Sequence, residues 1–252
     1  MPRIAVLCGT GMSAFASQLS SSTGDKSSTL RVDSDWGQVP VTLIDTGAGE
    51  VMVIDRHHSV SDSRTPPHRI EHRANVHAAV SFQPDLVLSI NSVGSMREDL
   101  PPGTIGVASD VLDLAEKPWT FHDDHATHAD RTSCFDSESS KICAAVLSSI
   151  QKKAVDDLVV AQCVGPQFET PSEIDALERL GADVVGMTLG PESRLVAETG
   201  ISHVALSCSS NWAAGRTPGL PEAEIDHEAV DEMAASMRES VGECVKALLS
   251  SR

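Results

Sequence analysis

Aromatic side chains are scarce in this sequence: they make up 3% of its 252 residues, and tyrosine is absent. Proteins that bind single-stranded nucleic acid stack bases on aromatic rings in a positively charged groove, so the composition disfavours that class. Positive charge is scarce too, because 19 lysines and arginines stand against 36 aspartates and glutamates, for a formal net charge of −17. We therefore predict no nucleic-acid or membrane partner, and any bound anion needs a local site.

Cysteine motifs and long apolar runs are also missing. The six cysteines are widely spaced and include no C-x-x-C pair, so they form neither a zinc pattern nor a disulfide framework. The apolar part of the N-terminus, MPRIAVLCGTG, is too short for a signal peptide, and no run reaches membrane-spanning length. These absences predict a cytoplasmic protein without a bound metal.

Short apolar segments recur along the chain, and their length and composition are typical of buried strands. Helical patterns separate several of them, which predicts a single α/β domain over residues 1–252 with a central mixed sheet flanked by helices. The segments are RIAVLC (3–8), EVMVID (50–55), DLVLSIN (85–91), TIGVASD (104–110), DLVVAQC (158–163), DVVGM (183–187) and HVALSC (203–208).

Two stretches are less apolar, and two helices can be placed. Residues 20–38 and 116–141 are predicted to be surface loops or irregular segments. The sequence TPSE (170–173) has a threonine cap, a proline at the first helical position and a glutamate three residues after the cap, and this helix should end at Gly181. A long helix is predicted from about Pro221 to Leu249.

The few positive groups are concentrated in RHHSVSDSRTPPHRIEHR (56–73), which holds four arginines and four histidines. Arg56 and His57 follow directly on a predicted strand, and α/β proteins bind ligands at strand ends. A guanidinium makes paired hydrogen bonds with tetrahedral oxyanions, so these two residues predict an anion site. For Arg64, Arg69 and His58, surface charge is an equally good explanation.

The motif CGTGMSA (8–14) has two interpretations. As G-x-G-x-x-A after a strand it could open a dinucleotide site, which would make the protein an oxidoreductase. That interpretation needs a second strand ending in an acid about twenty residues later, and the chain there is only weakly apolar. Alternatively, the backbone amides and the Thr10 hydroxyl hold a single phosphate, because glycine lets the main chain approach an oxyanion closely.

Further candidate residues follow other predicted strands. They are Ser92 in SINSVGSM (89–96), Glu169 in VGPQFETPSEI (164–174), Thr188 in VVGMTLGPES (184–193) and Asn211 in CSSNWAAG (208–215). Singly, each has an ordinary explanation, such as a tight turn after residue 91 or a helix-start acid at Glu169. Phe168, next to that acid, could offer an apolar face to a flat ring.

In their order along nearly the whole chain, these motifs resemble the purine nucleoside phosphorylase family, and in particular its trimeric branch, which includes the methylthioadenosine and methylthioinosine phosphorylases. The matching segments are GTG (9–11), RH (56–57), PPHRIEHRAN (66–75), NSVGS (91–95), GPQFETPSEI (165–174), GADVVGMT (181–188) and NWAAG (211–215). The resemblance implies the nucleoside phosphorylase fold, a homotrimer, and phosphorolysis of an N-glycosidic bond. It implies no cofactor, because inorganic phosphate is the co-substrate.

The resemblance also implies roles for individual residues. The phosphate-binding residues are Thr10, Arg56, His57, Ser92 and Thr188, and the purine-binding residues are Phe168, Glu169 and Asn211. The ribose-binding residues are Met187, His227 and, reaching into the neighbouring subunit's site, His128. Asn211, Glu169 and His57 are the implied catalytic residues.

The implied substrate is a 6-oxopurine nucleoside. A carboxylate at Glu169 can accept N1–H of such a base, and Asn211 and Ala213 stand where the adenine-using branch has two aspartates. A methylthioadenosine phosphorylase remains the alternative. In EIDHEAV (224–230), the family position that contacts the sugar 5′ group aligns with Ile225, Asp226 or His227. His227 favours inosine or guanosine, whereas the motif PPHRIEHRAN favours methylthioinosine.

Overall fold

The computed structural model describes residues 1–23, 26–59, 64–115 and 117–252. Within these ranges the strands are β1 (Arg3–Cys8), β2 (Lys26–Ser34), β3 (Gly37–Asp45), β4 (Glu50–Asp55), β5 (Leu86–Ser95), β6 (Ile105–Asp113), β7 (Leu158–Gln162), β8 (Val184–Gly186) and β9 (Ser202–Trp212). The helices are α1 (Phe15–Thr23), α2 (His72–Ser81), α3 (Ser137–Gln151), α4 (Pro171–Arg179), α5 (Leu189–Thr199), α6 (His227–Ser236) and α7 (Arg238–Ser250), with a 3₁₀ turn at Pro67–Arg69.

The described strands form one mixed sheet in the order β2-β3-β4-β1-β5-β8-β7-β6-β9, which confirms the predicted fold class. β1 is parallel to β4 and β5, whereas β2, β3 and β4 pair antiparallel. β9 pairs with β6 on one side and also runs parallel to β5. Strands β5, β8, β7, β6 and β9 therefore close into a ring, and the open part of the sheet extends from β1 to β2.

Burial on both faces explains why the apolar segments could be identified as strands. In β1, Ile4, Val6 and Cys8 belong to one buried cluster, and Ala5 and Leu7 belong to another, because successive side chains of a strand point to opposite faces. The first cluster includes side chains of α1, α3 and α7, and the second includes side chains of α2 and α5. Helices thus cover both faces of the sheet, as a mainly parallel core requires.

The prediction that residues 20–38 form a surface loop or an irregular segment is wrong. It contains the end of α1, the whole of β2 and the first residues of β3. The side chains of β2 are almost all exposed, since it is the outermost strand and its backbone pairs with β3 on one side only. Such an edge strand needs no apolar pattern, so hydrophobicity gave no signal for it.

The predictions at the other segments are mixed. Residues 117–136 have no regular helix or strand, as predicted for 116–141, but α3 already begins at Ser137. The capping box of Thr170 and Glu173 is present, and α4 is followed by Gly181 with φ +94°. The long helix predicted from Pro221 to Leu249 is instead two helices, α6 and α7, which meet at Met237.

Candidate active site

A cavity of about 710 Å³ opens at the carboxyl ends of the parallel strands. The turn after β1, the residues after β4 and the second half of β5 line one side of it. The loop before α4, the end of β8, the end of β9 and the start of α6 line the rest. Because these segments are far apart in the sequence, the sheet topology alone brings their side chains together.

Ten of the eleven predicted site residues line this cavity. They are Thr10, Arg56, His57, Ser92, Phe168, Glu169, Met187, Thr188, Asn211 and His227. His128 does not line it: this residue is exposed on the irregular segment 117–136. Its implied contribution to a neighbouring subunit's site stays a prediction, as do the individual roles of the other ten.

Arg56 is held in place by the protein itself. Its Nε donates to Glu192 Oε1 at 2.5 Å and its Nη2 donates to Glu192 Oε2 at 3.1 Å. Nη2 also donates to the carbonyl of Leu7, and Nη1 donates to the carbonyl of Ile90, both at 2.8 Å. Four of its five N–H groups thus have partners within the protein, so the paired donors are not free in this structure, and the role of Arg56 in oxyanion binding stays a prediction. Of the five guanidinium N–H bonds, one on Nη1 has no partner among the described residues.

Glu192 is the main functional residue that the sequence analysis missed. Its carboxylate is 0% exposed, and besides Arg56 it accepts a hydrogen bond from Ser89 Oγ at 2.7 Å. Ser89 Oγ lies 2.9 Å from Nε2 of the buried His203, which extends the network. A buried carboxylate is tolerated only when it is paired and hydrogen-bonded, as here. A glutamate inside VVGMTLGPES was the only available signal, since its partner is 136 positions away.

His57 is a neutral imidazole in this environment. Its Nδ1 lies 2.8 Å from the carbonyl oxygen of Thr65. Burial lowers the pKa of His57 to about 4, because the charged ring loses its hydration. The hydrogen bond to Thr65 acts in the opposite direction, and the charge of Arg56 adds to the lowering. At neutral pH this side chain therefore contributes hydrogen bonds and no charge.

The N-cap residue of α5 lies at the cavity, whereas the N–H of Gly190 in the first turn donates to Gln162 Oε1 at 2.9 Å. Thr188, which lines the cavity, is the N-cap of this helix, although its side chain makes no capping hydrogen bond. The Thr188 hydroxyl instead accepts from Nδ2 of the buried Asn91 at 2.7 Å. A helix N-terminus carries unpaired N–H groups and a partial positive charge, which favour an anion.

The glycine turn after β1 is joined to the C-terminal helices. Gly11 N–H donates to Asp231 Oδ1 at 2.6 Å, and Arg238 Nε donates to the Gly11 carbonyl at 2.5 Å. Gly11 has φ +73°, and a Cβ built on it would lie 2.5 Å from Cβ of Ala234. Only glycine fits there. The turn therefore holds Thr10 at the cavity with α6 packed directly against it.

The dinucleotide interpretation of this turn is wrong. That site needs a βαβ unit in which the second strand lies beside the first. Here α1 leads into β2, which pairs antiparallel with β3 at the outer edge of the sheet. The neighbours of β1 are β4 and β5. β4 does end in an acid beside the turn, since Asp55 is in register with Cys8, but β4 does not follow α1, and Asp55 accepts from His57 N–H at 3.0 Å and from Arg64 at 3.2 Å. The unit β1-α1-β2 is therefore not the βαβ unit that a dinucleotide site requires.

Glu169 lines the cavity next to Phe168 and is partly buried. Burial raises the pKa of the Glu169 carboxyl, and a hydrogen bond with the Cys163 thiol acts in the opposite direction. The pKa of Cys163 is itself raised to about 12, chiefly by burial. The thiol thus stays protonated and remains available as a donor to Glu169. Phe168 is 37% exposed, so its ring borders the cavity without being enclosed.

A chain of hydrogen bonds orients the amide of Asn211. Ser92 Oγ donates to Ser210 Oγ at 2.6 Å, and Ser210 Oγ lies 3.0 Å from Asn211 Oδ1. Asn211 Nδ2 donates to the Trp212 carbonyl at 2.8 Å. This network assigns the amide oxygen and nitrogen to fixed positions. Each atom keeps one further hydrogen-bonding position.

Two of the three residues that the sequence left as candidates for the sugar 5′ position lie at the cavity, at the start of α6. Ile225 and His227 both line the cavity. Asp226 does not, because its carboxylate is the N-cap of α6 and accepts from Glu228 N–H at 3.0 Å. One apolar and one polar side chain therefore remain as candidates.

Among the described residues, no group of three metal-binding side chains and no helix able to cross a membrane was found.

Comparisons with known proteins place the chain among phosphorylases. The family model described as "Phosphorylase superfamily" matches residues 3–250. The chain is 35% identical over 209 residues, 82% of its length and 78% of the relative's, to a probable S-methyl-5′-thioinosine phosphorylase of Methanosarcina acetivorans. It is 30% identical to a probable 6-oxopurine nucleoside phosphorylase of Thermococcus kodakarensis, covering 93% of this chain and 87% of the relative.

The fold is similar to that of a solved structure with much lower sequence identity. Methylthioadenosine phosphorylase from Schistosoma mansoni, in complex with adenine, superposes with a TM-score of 0.86 at 19% identity. The match covers 100% of this chain and 91% of that one. At this identity the likeness establishes the arrangement of strands and helices alone.

Proposed function

The chain belongs to the phosphorylase superfamily, and from this premise we propose that it cleaves the N-glycosidic bond of a 6-oxopurine nucleoside with inorganic phosphate. The products are the free purine base and a pentose 1-phosphate. One observation carries the proposal: Arg56 and His57 line the same cavity as Glu169 and Asn211. An oxyanion end and a base end in one cavity allow the two substrates to react directly.

The phosphate end supports a bound nucleophile. Phosphate supplies the attacking oxygen, so the protein needs no nucleophile of its own and must hold the anion against the anomeric carbon. The residues that would hold it all line the cavity: Thr10, His57, Thr188 at the N-cap of α5, and Arg56, which has one N–H without a partner among the described residues. Fixed donors of this kind need no reorganisation when the reaction occurs.

The base end supports a 6-oxopurine leaving group. When the glycosidic bond breaks, negative charge develops on the purine, and Asn211 Oδ1 can accept a hydrogen bond from N7–H once the departing base takes up a proton from solvent there. Asn211 Nδ2 can donate to the oxygen at C6 of the same base. Glu169, as a carboxylate, accepts the hydrogen on N1 of such a base. Relatives named for methylthioinosine and for 6-oxopurine nucleosides at 30–35% identity add support.

Several finer features belong to the same proposal. The substrate has either a 5′-methylthio group, as in methylthioinosine, or a 5′-hydroxyl group, as in inosine and guanosine. Ile225 suits the methylthio group, and His227 suits the hydroxyl. The assembly is a homotrimer in the cytoplasm, in which His128 completes the ribose site of a neighbouring subunit. Phosphate serves as co-substrate, and no cofactor takes part.

A second candidate is a methylthioadenosine phosphorylase, and the raised pKa of Glu169 favours it. A protonated Glu169 would donate to N1 of adenine, which carries no hydrogen there. Against this stands Asn211, whose neutral amide lacks the negative charge of the aspartate that the adenine-using branch has at this position.

A substrate panel tests the proposal. Inosine, guanosine, methylthioinosine, adenosine and methylthioadenosine should be incubated with and without phosphate, and base release followed by chromatography. We expect phosphate-dependent release from the 6-oxopurine nucleosides only. Comparable rates with methylthioadenosine would favour the second candidate, and no phosphate-dependent release from any nucleoside would refute both.

A further inference from the structure

The tautomer of His57 is fixed by its backbone partner. The atom that Nδ1 faces at 2.8 Å is a carbonyl oxygen, that of Thr65, which can only accept a hydrogen bond. Nδ1 therefore carries the hydrogen. Since burial keeps the ring neutral, Nε2 has no hydrogen and presents a lone pair.

His57 Nε2 lies close to Arg56 Nη1, and both residues line the cavity. A Cβ built on Gly9 would lie 3.1 Å from His57 Nε2 and 2.6 Å from Arg56 Nη1, so both nitrogens lie beside the same glycine. Nη1 carries the one guanidinium N–H that has no partner in the described part of the chain. Among residues 1–23, 26–59, 64–115 and 117–252, no hydrogen bond engages Nε2. A donor and an acceptor therefore lie side by side where the anion is expected.

The charges near His57 largely cancel. Arg56 is neutralised by Glu192, and Arg64 at the cavity mouth lies 3.2 Å from Asp55. Arg56, Arg64 and Asp55 are the charged groups that act on the pKa of His57, with Asp55 opposing the two arginines. A site without a strong positive excess must discriminate between anions by the directions of its hydrogen bonds.

We propose that His57 Nε2 accepts the O–H of hydrogenphosphate, so that the site selects tetrahedral oxyanions that carry a proton. Hydrogenphosphate and hydrogenarsenate have this O–H at neutral pH, whereas sulfate has none. Sulfate would place an oxygen lone pair against that of Nε2, leaving both buried acceptors unpaired, which is costly. The assignment rests on the proposed function, because that function places phosphate at this end of the cavity.

Calorimetric titration of the intact protein with phosphate, arsenate and sulfate, at constant pH 7.5 and ionic strength, measures the selection. We expect phosphate and arsenate to bind with similar affinity and sulfate to bind at least about tenfold more weakly, the effect of one hydrogen bond to a charged group. Equal binding of phosphate and sulfate would overturn the inference and leave the proposed function standing. Binding of no oxyanion would overturn the phosphate site itself.

Two substitutions at His57 sharpen the test. His57→Lys replaces the acceptor with a donor, and its added charge attracts both dianions alike, so the ratio of phosphate to sulfate affinity should fall to about one. His57→Gln keeps an acceptor oxygen and should retain part of the selection. His68→Gln, at an exposed position that does not line the cavity, is the matched control and should leave the ratio unchanged.

A nuclear magnetic resonance measurement on the unaltered sequence does not depend on whether the variants fold. In a histidine-labelled sample, two-bond nitrogen–proton correlations show which ring nitrogen of His57 carries the hydrogen, with His57→Gln used for assignment. We expect hydrogen on Nδ1 and none on Nε2, both without ligand and with phosphate bound. A protonated Nε2 in the phosphate complex would contradict the proposal.

Discussion

The two ends of the cavity are built differently. At the oxyanion end, Arg56 is 2% exposed, His57 7% and Thr188 8%, and each is fixed by partners within the protein. At the base end, Phe168 is 37% exposed, and Glu169 and Asn211 are half-buried on loops or strand ends. The first end is part of the folded core, whereas the second borders it. Substitutions at the first should therefore reduce stability and function together, and those at the second should mainly change specificity.

The largest effect is expected from Glu192→Ala. It leaves the buried guanidinium of Arg56 without its counter-ion, which costs about 3–5 kcal/mol of unfolding free energy. Denaturant titration measures this loss, and the KM for phosphate should rise in the same variant. Glu222→Ala, which removes an exposed acid outside the cavity, is the control. A stable variant with an unchanged phosphate KM would show that the two ends do not differ in this way.

Asn211→Asp should change specificity with little effect on stability, because this side chain is half-buried. The carboxylate cannot donate to an oxygen at C6, so kcat/KM for inosine should fall about 10- to 100-fold, as for the loss of a hydrogen bond in a charged context. Steady-state rates with inosine and adenosine measure the change, and the phosphate KM serves as the internal control. An equal fall for both nucleosides would argue against a role in base selection.

The pH dependence should differ between the two ends. Because burial raises the pKa of Glu169, this carboxyl takes up its proton at a higher pH than an ordinary glutamate and then no longer accepts N1–H. Below that pKa, affinity for a 6-oxopurine nucleoside should fall about tenfold per pH unit. Because the pKa of Glu169 is raised in the folded state, protonation of this carboxyl stabilises the folded protein at low pH. The fall in nucleoside affinity is therefore not caused by unfolding that this group drives. His57, with a pKa of about 4, should add no pH dependence of its own to phosphate affinity from pH 5.5 to 8, so any change in that range should follow the second ionisation of phosphate itself.

The smallest effect is expected from Thr170→Ala. It removes the capping box at the start of α4, directly after Glu169, and should lower the unfolding free energy by about 1 kcal/mol. Thermal unfolding measures the loss, and the phosphate KM should not change. Thr170→Ser, which keeps the capping hydroxyl, is the matched control. A changed phosphate KM in the alanine variant would contradict the separation of the two ends.

The sequence predicted the parts of the fold that depend on burial. The seven apolar segments are strands because both of their faces are covered, as the alternation of Ile4 and Ala5 between two clusters shows. It did not predict β2, whose exposed side chains carry no apolar pattern, β3, of which only three side chains are buried, or the division between α6 and α7 at Met237. Backbone pairing and helix packing decide those features, and neither leaves a clear local signal.

The sequence allowed residues of the site to be predicted, but not the hydrogen bonds that these residues make within the protein. Motif order along the chain identified ten of the residues that line the cavity. It could not show that the Nε and Nη2 donors of Arg56 are already occupied by Glu192, because the two are joined only by folding. The carbonyl of Thr65, which fixes the ring of His57, is likewise invisible in a sequence since any residue type has one.

The joining of Gly11 to Asp231 and Arg238 has a consequence for biosynthesis. The turn after β1 forms its hydrogen bonds only when α6 and α7 have folded against it. A nascent polypeptide that ends before α6 therefore has an unpaired amide at Gly11 and lacks the residues of α6 that line the cavity. All nine described strands precede α6 in the chain, so they can leave the exit tunnel before the residues of α6 complete the cavity. Ligand-dependent protection of nascent chains from protease should therefore appear only once α7 has left the exit tunnel.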